Sequence, residues 1–192
     1  ITNILIITGV DHMGDVVRLL GSGKDFGANF TYKVQDEAGG IAQALNLAKH
    51  YCRGLKFVVI LGDNIFESSL KEFVSSFTAQ EKGARLLLQT VSDPERFGVA
   101  TLEGDKIVKI VEKPEKPESN HIVTGVYMYD DQVFEYIEKC KPSDRGELEI
   151  SDVNSFYVED GICEYDFMPG WWSDAGTHES LRKANEFLSP AD

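Results

Sequence analysis

Two aspartates stand where a ligand could reach a carboxylate. Asp63 follows the apolar run 57–61 and a glycine, and ligands of open α/β sheets bind at the carboxyl ends of strands. Asp174 follows two tryptophans and precedes a helical pattern. Either aspartate can instead be a helix N-cap. Their pairing favours a metal site, because a nucleotide-bound Mg²⁺ takes one or two protein carboxylates and these two can supply both.

A charged pair, Glu112 and Lys113, comes directly after the apolar stretch 107–111. Lys113 can neutralise a phosphate as a point charge, and Glu112 can accept hydrogen bonds from sugar hydroxyls. Such a pair at a strand end is more often a solvated turn, and the same tripeptide recurs at 115–117. We favour the first copy because the preceding strand holds it in place.

Two further places offer groups for a nucleotide or a phosphate. Gln35 and the glycines that end at Gly40 precede a helical pattern; backbone N–H groups there can bind oxygens, and a glutamine amide can read a base edge. The same loop can also be a plain glycine-rich turn. Arg145 either marks the start of a helix with acidic residues in its first turn or contacts a phosphate. No P-loop motif occurs, and no G-x-G-x-x-G follows a strand.

The charge balance excludes some classes of protein. The 192 residues include 19 Lys and Arg against 32 Asp and Glu, a net charge of −13. Binding to nucleic acid or anionic lipid by diffuse charge needs clustered cations, so we expect neither partner. The three cysteines form no C-x-x-C pair, and no apolar run approaches the roughly 20 residues that span a bilayer. We expect a cytoplasmic protein with one domain over 1–192.

Short β-branched runs alternate with helical patterns, which predicts an α/β fold: a Rossmann-like mixed, mainly parallel sheet flanked by helices. We expect a fully buried first strand, a central third strand, a helix capped by Asp11 and stopped at Gly21, and a hairpin turn at 103–106. Strands are predicted at 4–8, 30–34, 57–61, 86–91, 99–102, 107–111, 122–129 and 163–168. Helices are predicted at 11–20, 41–48, 70–77, 130–140, 148–158 and 176–188.

Seven segments, taken in order, resemble one family. They are Gln35-Asp-Glu-Ala-Gly-Gly-Ile-Ala-Gln-Ala44, Leu61-Gly-Asp-Asn-Ile-Phe66, Pro94-Glu-Arg-Phe-Gly-Val99, Val111-Glu-Lys-Pro114, Val123-Thr-Gly-Val-Tyr127, Arg145-Gly-Glu-Leu-Glu-Ile-Ser-Asp152 and Trp172-Ser-Asp-Ala-Gly-Thr-His178. Each motif is weak alone, but their common order across essentially the whole chain is specific. The sequence resembles the glucose-1-phosphate thymidylyltransferases, or dTDP-glucose pyrophosphorylases, in their short form.

The resemblance implies the nucleotide-diphospho-sugar transferase fold and a Mg²⁺-dependent reaction of dTTP with glucose 1-phosphate. The sugar phosphate attacks the α-phosphorus directly, giving dTDP-glucose and pyrophosphate, so positioning and charge neutralisation dominate catalysis. It also implies a homotetramer. Site residues implied by the resemblance are Asp63 and Asp174 for the metal; Gln35 and Gly40 for thymine; Gly98, Glu112 and Val123 for the sugar; and Lys113 and Arg145 for the sugar phosphate. Catalysis is assigned to Asp63, Asp174 and Lys113, and Phe97 stands where relatives often have tyrosine.

One family feature has no counterpart in this sequence. The family begins with a strand and a G-x-G-T-R loop that holds the triphosphate, and Ile1 corresponds to a point after that first βα unit. Three alternatives stay open: a nucleotidyltransferase that uses UTP or CTP, an inactive nucleotide-sugar binding subunit or fragment, and a metal-dependent glycosyltransferase. The last lacks a D-x-D pair at a suitable strand end.

Without a counterpart of that loop, the 192-residue chain is expected to convert substrate far more slowly than the family does. Pyrophosphate release from dTTP and glucose 1-phosphate measures this directly, and family-like rates would contradict the expectation.

Overall fold

The structure is a computed structural model that describes residues 1–188. Its strands are β1 (Asn3–Gly9), β2 (Asn29–Gln35), β3 (Phe57–Ile60), β4 (Asn64–Phe66), β5 (Ala84–Thr90), β6 (Gly98–Glu103), β7 (Lys106–Glu112), β8 (His121–Tyr129), β9 (Cys163–Phe167) and β10 (Trp172–Asp174). Its helices are α1 (Val10–Leu20), α2 (Ile41–Asn46), α3 (Lys49–Cys52), α4 (Lys71–Ala79), α5 (Val133–Lys139), α6 (Ile150–Glu159) and α7 (His178–Leu188). Over this range, no helix has the length and apolar character needed to cross a membrane.

Strand β8 is the centre of the main sheet, and eight of its nine residues are buried. It pairs with β5 along one edge. Along the other edge it pairs first with β6, where Ile122 lies opposite Val99, and then with β3, where Val126 lies opposite Ile60. The β6–β7 hairpin and β9 extend the sheet outward. The neighbour of β8 therefore changes partway along one edge.

The strand directions correct one expectation. A mixed sheet flanked by helices is confirmed, but four of the five pairings that the structure describes in the main sheet are antiparallel, so this sheet is not mainly parallel. Connection length explains the β6–β7 pairing, because a short turn such as the one predicted at 103–106 joins only antiparallel strands. The central strand β8 runs antiparallel to all three of its described neighbours, β3, β5 and β6.

Strand β1, helix α1 and strand β2 follow the predicted topology, with two local corrections. β1 and β2 pair in parallel across α1, as the alternating pattern indicates. However, β1 has no fully buried residue, and Ile4 is 37% exposed. Helix α1 begins at Val10 with Gly9 as its N-cap, so Asp11 lies in the first turn. There its negative charge interacts favourably with the helix dipole. Gly21 ends the helix as predicted, with φ of 56°.

Strand β3, expected to be central, pairs with β8 along one edge only within residues 1–188, and Ile60 is 48% exposed. The two short strands β4 and β10, which pair with each other, were not predicted. Three residues are too few to show an alternating pattern, so strands of this length leave no signal in the sequence.

The core lies on both faces of the main sheet. Leu86 and Leu88 point into the larger cluster with α2, α5 and α6, whereas Leu87 points into a smaller cluster with α4. Tyr127 and Tyr129 stack at 5.9 Å on the larger side. Since successive strand residues face opposite sides, burial on both faces explains the continuous apolar runs in β5 and β8.

Leu88→Ala is expected to lower the free energy of unfolding by about 2–5 kcal/mol, because Leu88 is fully buried and the change leaves a cavity. Urea unfolding measures the loss. Leu19→Ala is the matched control, since Leu19 is 79% exposed. Equal losses for both variants would contradict this description of the core.

Candidate active site

A cleft opens where the neighbour of β8 changes from β6 to β3. Gly125 lies at this point, and its carbonyl accepts the Leu61 N–H at 2.8 Å. Beyond Leu61 the chain leaves the sheet, so Asp63 follows a strand end beside an interrupted sheet edge. Ligands of α/β proteins bind at such strand ends.

The Asn64 side chain ties three strands together at this edge. Its Oδ1 accepts the Gly125 N–H of β8 and the Trp172 Nε1–H of β10, each at 2.8 Å. Its Nδ2 donates to Asp63 Oδ1 at 2.9 Å. A Cβ on Gly125 would lie 2.3 Å from Asn64 Nδ2, so the close approach requires glycine. Asn64 therefore orients one of the two predicted metal ligands.

The antiparallel pair β4–β10 brings the two aspartates together. Asp174 lies opposite Asn64 in the register, and the Ala175 N–H donates to the Asp63 carbonyl at 2.6 Å. The two carboxylates flank one point: a Cβ built on Gly176 would lie 3.4 Å from Asp63 Oδ2 and 3.8 Å from Asp174 Oδ2. The predicted pairing of these residues thus has a geometric basis.

This donor set fits a hard cation that takes its remaining ligands from elsewhere. Within the described residues no group of three or more His, Cys, Asp and Glu side chains could enclose a metal ion. Mg²⁺ is ordinarily held by one or two carboxylates, together with water and substrate phosphates. Two carboxylates at one point therefore suit a magnesium ion that arrives with a nucleotide better than a permanently enclosed metal.

Arg96 provides a positive charge at this point, and sequence reasoning missed it. Its Nη2 donates to Asp174 Oδ2 at 3.0 Å and its Nη1 to Asp93 Oδ2 at 2.8 Å. The guanidinium also lies over the Phe97 ring, 4.9 Å from the centroid. The hydrogen bond that Arg96 donates to Asp93, together with the negative charge of Asp174, raises the pKa of Arg96. Nothing in the sequence spacing connects Arg96 with a residue 78 positions later.

The lining of the cleft also includes Glu112 and Lys113. Glu112 Oε2 accepts the Ser151 hydroxyl at 2.5 Å, and Glu112 lies opposite Gly98 in the β6–β7 register. A Cβ on Gly98 would lie 2.8 Å from Ser151 Oγ. Only glycine therefore fits here without a shift of the Ser151 side chain.

Lys113 adopts φ of 40° and is the sole non-glycine residue with positive φ among residues 1–188. Its N–H donates to the Phe97 carbonyl at 3.0 Å. A left-handed conformation costs a non-glycine residue roughly 1–3 kcal/mol, and such strain is concentrated at functional sites. The conformation distinguishes this Glu-Lys-Pro copy from the second one, at 115–117.

Arg145 lies on the loop before α6, since that helix begins at Ile150. Its Nη2 donates to both carboxylate oxygens of Glu149 at 2.9 Å. Glu112 and Glu147 lie farther away, at 3.6 and 3.8 Å. These hydrogen bonds and charges raise the pKa of Arg145. The predicted phosphate contact is thus held by carboxylates in this structure.

Gln35 and Gly40 lie together, beside the cleft rather than in its wall. Gln35 Nε2 donates to Gln43 Oε1 at 2.7 Å and to the Gly40 carbonyl at 3.3 Å. Gly40 has φ of 93°, and a Cβ there would lie 2.6 Å from the Leu148 carbonyl. The Ala42 N–H already donates to that carbonyl, so the expected free backbone donors are not all free.

The structure therefore brings most of the predicted site residues into one cleft. Those that line it are Asp63, Gly98, Glu112, Lys113, Val123, Arg145 and Asp174. Lining residues that were not predicted for the site include Arg96, Tyr127, Ser151, Asn154 and Trp172.

Asn154 adds an unusual donor to this cleft. It is 1% exposed, its Oδ1 accepts the Tyr129 hydroxyl at 2.5 Å, and its Nδ2 has no hydrogen-bond partner among the described residues. A buried polar group without a partner costs about 1–3 kcal/mol, and such groups occur where a ligand or water completes the bonding. Asn154 lies within the helix predicted at 148–158, and no sequence signal marks its side chain.

The lining carries five carboxylates and three basic side chains. A phosphate-bearing ligand would meet net negative charge there unless a cation accompanied it. A mixed α/β sheet with paired carboxylates and basic side chains around one cleft is typical of enzymes that transfer phosphate-containing groups.

Comparison with known proteins agrees with this class. The sequence model of the nucleotidyl transferase family matches residues 1–190, and the chain belongs to that family. It is 42% identical over 192 residues to a glucose-1-phosphate thymidylyltransferase of Neisseria meningitidis, covering 98% of this chain. The chain spans 67% of that relative's length and 65% of the length of two further curated relatives.

Solved structures share the fold. A proposed glucose-1-phosphate thymidylyltransferase from Bacillus anthracis, crystallised with sucrose, superposes with a TM-score of 0.94 at 55% identity, covering all of this chain and 78% of that one. A UDP-glucose pyrophosphorylase bound to UDP-glucose superposes with a TM-score of 0.83 at 22% identity, over 97% of this chain and 80% of that one. At that identity the second similarity bears on the fold alone.

Asn64→Ala is expected to lower the free energy of unfolding by about 1–3 kcal/mol, because it leaves the Gly125 and Trp172 donors without their acceptor. Chemical denaturation followed by tryptophan fluorescence measures this. Asn46→Ala, at an exposed position of α2, is the control and should change stability by less than about 0.5 kcal/mol. An unchanged denaturation midpoint for Asn64→Ala would show that these two hydrogen bonds do not stabilise the fold.

Proposed function

We propose that the protein is a glucose-1-phosphate thymidylyltransferase that uses Mg²⁺, dTTP and glucose 1-phosphate to make dTDP-glucose and pyrophosphate. The observation that carries this proposal is that Asp63 and Asp174 flank one point in a cleft that Glu112 and Lys113 also line. The names of the relatives at 42% and 55% identity support the choice of substrates.

Asp63 and Asp174 would hold the magnesium ion, and Asn64 orients the first of them through its Nδ2–H. When bound, the ion supplies positive charge to the nucleotide phosphates. An oxygen of the sugar phosphate then bonds to the α-phosphorus as the bond to the β-phosphate oxygen breaks, and pyrophosphate leaves. No protein nucleophile is needed, so the side chains act by positioning and by neutralising charge.

The remaining residues divide between the two substrates. We assign Lys113 and Arg145 to the sugar phosphate, because both are basic side chains in the cleft wall near Glu112. Gly98, Glu112 and Val123 are assigned to the sugar, where Glu112 offers a carboxylate to hydroxyl groups. Gln35 and Gly40 are assigned to the thymine, beside the cleft. Engaging the phosphate requires Arg145 to exchange some of its carboxylate partners.

Three wider properties belong to the same proposal. We propose that residues 1–192 form a single domain, that the protein works in the cytoplasm in nucleotide-sugar synthesis, and that it assembles as a homo-oligomer, a tetramer by resemblance to the family. The tetramer is testable by light scattering.

The test is calorimetry of dTDP-glucose binding with and without Mg²⁺. We expect Mg²⁺ to tighten binding by at least about tenfold, and Asp63→Asn to remove most of that gain, because the carboxylate that neutralises the ion is lost. Asp11→Asn, an exposed change in α1, is the control for net charge. An affinity for dTDP-glucose that does not depend on Mg²⁺ would instead indicate an inactive nucleotide-sugar binding subunit.

The base preference needs a separate measurement. In pyrophosphate-release assays with dTTP, UTP and CTP, we expect dTTP to give the highest kcat/KM, and Gln35→Ala to reduce the difference between dTTP and CTP. A preference for UTP or CTP would replace the thymidylyl assignment while leaving the metal site in place.

A further inference from the structure

The guanidinium of Arg96 and a divalent cation would both require the Asp174 carboxylate. Arg96 Nη2 lies 3.0 Å from Asp174 Oδ2, which is the oxygen that faces Asp63 across the Gly176 position. A fixed positive charge and an ion of charge +2 repel each other strongly at such separations. If both bound Asp174, the two positive charges would lie close together, and each would weaken the binding of the other.

From this contact we propose that Arg96 is a placeholder for the metal ion: it neutralises Asp174 while no cation is bound, and it leaves that carboxylate when a divalent cation binds. The proposal rests on the assignment of Asp63 and Asp174 as metal ligands.

The surroundings of Arg96 allow such a move. The side chain is 42% exposed, so it has room to turn. Its second guanidinium nitrogen keeps Asp93 as a partner at 2.8 Å, and its Cζ lies over the Phe97 ring, so the charge stays at the cleft after release. Phe97 in turn contacts Trp172, two residues before Asp174.

A placeholder also resolves an energetic difficulty that the two carboxylates create. Without Arg96, Asp63 and Asp174 would present two negative charges around one point, with Asp174 only 20% exposed. Like charges at short distance destabilise the folded state. With Arg96 in place, the two carboxylates can keep one arrangement before and after metal binding, at the expense of some metal affinity.

The test is Mn²⁺ affinity of the nucleotide-free chain, measured from the free Mn²⁺ signal in electron paramagnetic resonance. Arg96→Gln is expected to bind Mn²⁺ about three- to tenfold more tightly than the unsubstituted chain, because the competing charge is gone. Arg96→Lys keeps the charge and should stay within about twofold of it. Raising the salt concentration should shrink the difference.

Arg18→Gln is the matched control. It removes one arginine from an exposed pair with Asp15 on α1, so it changes the net charge equally at another place. A tightening in Arg18→Gln equal to that in Arg96→Gln would mean a general charge effect and would overturn the proposal. The Arg96 Nε–H signal in nuclear magnetic resonance should also move when Mg²⁺ is added.

Asp174→Asn separates the two levels of inference. If it abolishes Mn²⁺ binding while Arg96→Gln binds no more tightly than the unsubstituted chain, the placeholder is wrong and the metal site stands. If Asp174→Asn binds Mn²⁺ as tightly as the unsubstituted chain, the metal site itself is wrong, and the proposed function fails with it.

Discussion

One amide side chain holds the cleft together. Asn64 accepts hydrogen bonds from β8 and β10 and donates to Asp63, so a single group joins three strands that are distant in the sequence. Its position depends on Gly125, because a side chain there would collide with it. The geometry of the two aspartates follows from this contact, since β4 and β10 are too short to keep their register by backbone pairing alone.

Charge is the second constraint, and it links the cleft to its chemistry. Carboxylates outnumber basic side chains in the lining, and two of the three basic groups are held by carboxylates: Arg96 by Asp93 and Asp174, and Arg145 by Glu149. These ion pairs offset part of the repulsion among the carboxylates. They also mean that a phosphate and its cation must exchange partners with groups already paired, as the proposed role of Arg96 illustrates.

Most elements and many site residues were predictable because their signals are local. The apolar runs of β3, β5 and β8, the helical spacing of α5 and α6 and the β6–β7 turn each lie within about ten residues. Strand direction was less predictable, since a buried run such as β8 reads the same whether its neighbours are parallel or antiparallel. Arg96 and Asn154 were missed because their partners, Asp174 and Tyr129, lie 78 and 25 residues away.

The sequence by itself determined the chemical groups: two aspartates after apolar or aromatic segments, a Glu-Lys pair after a strand, and an acidic balance that calls for a cation beside phosphate. Only the tertiary structure decided which groups meet. It placed Asp63 and Asp174 around one point, distinguished Lys113 by its strained backbone, and set Arg96 on Asp174. Composition and periodicity act along the chain, whereas these contacts depend on strand register and on glycines that let side chains approach.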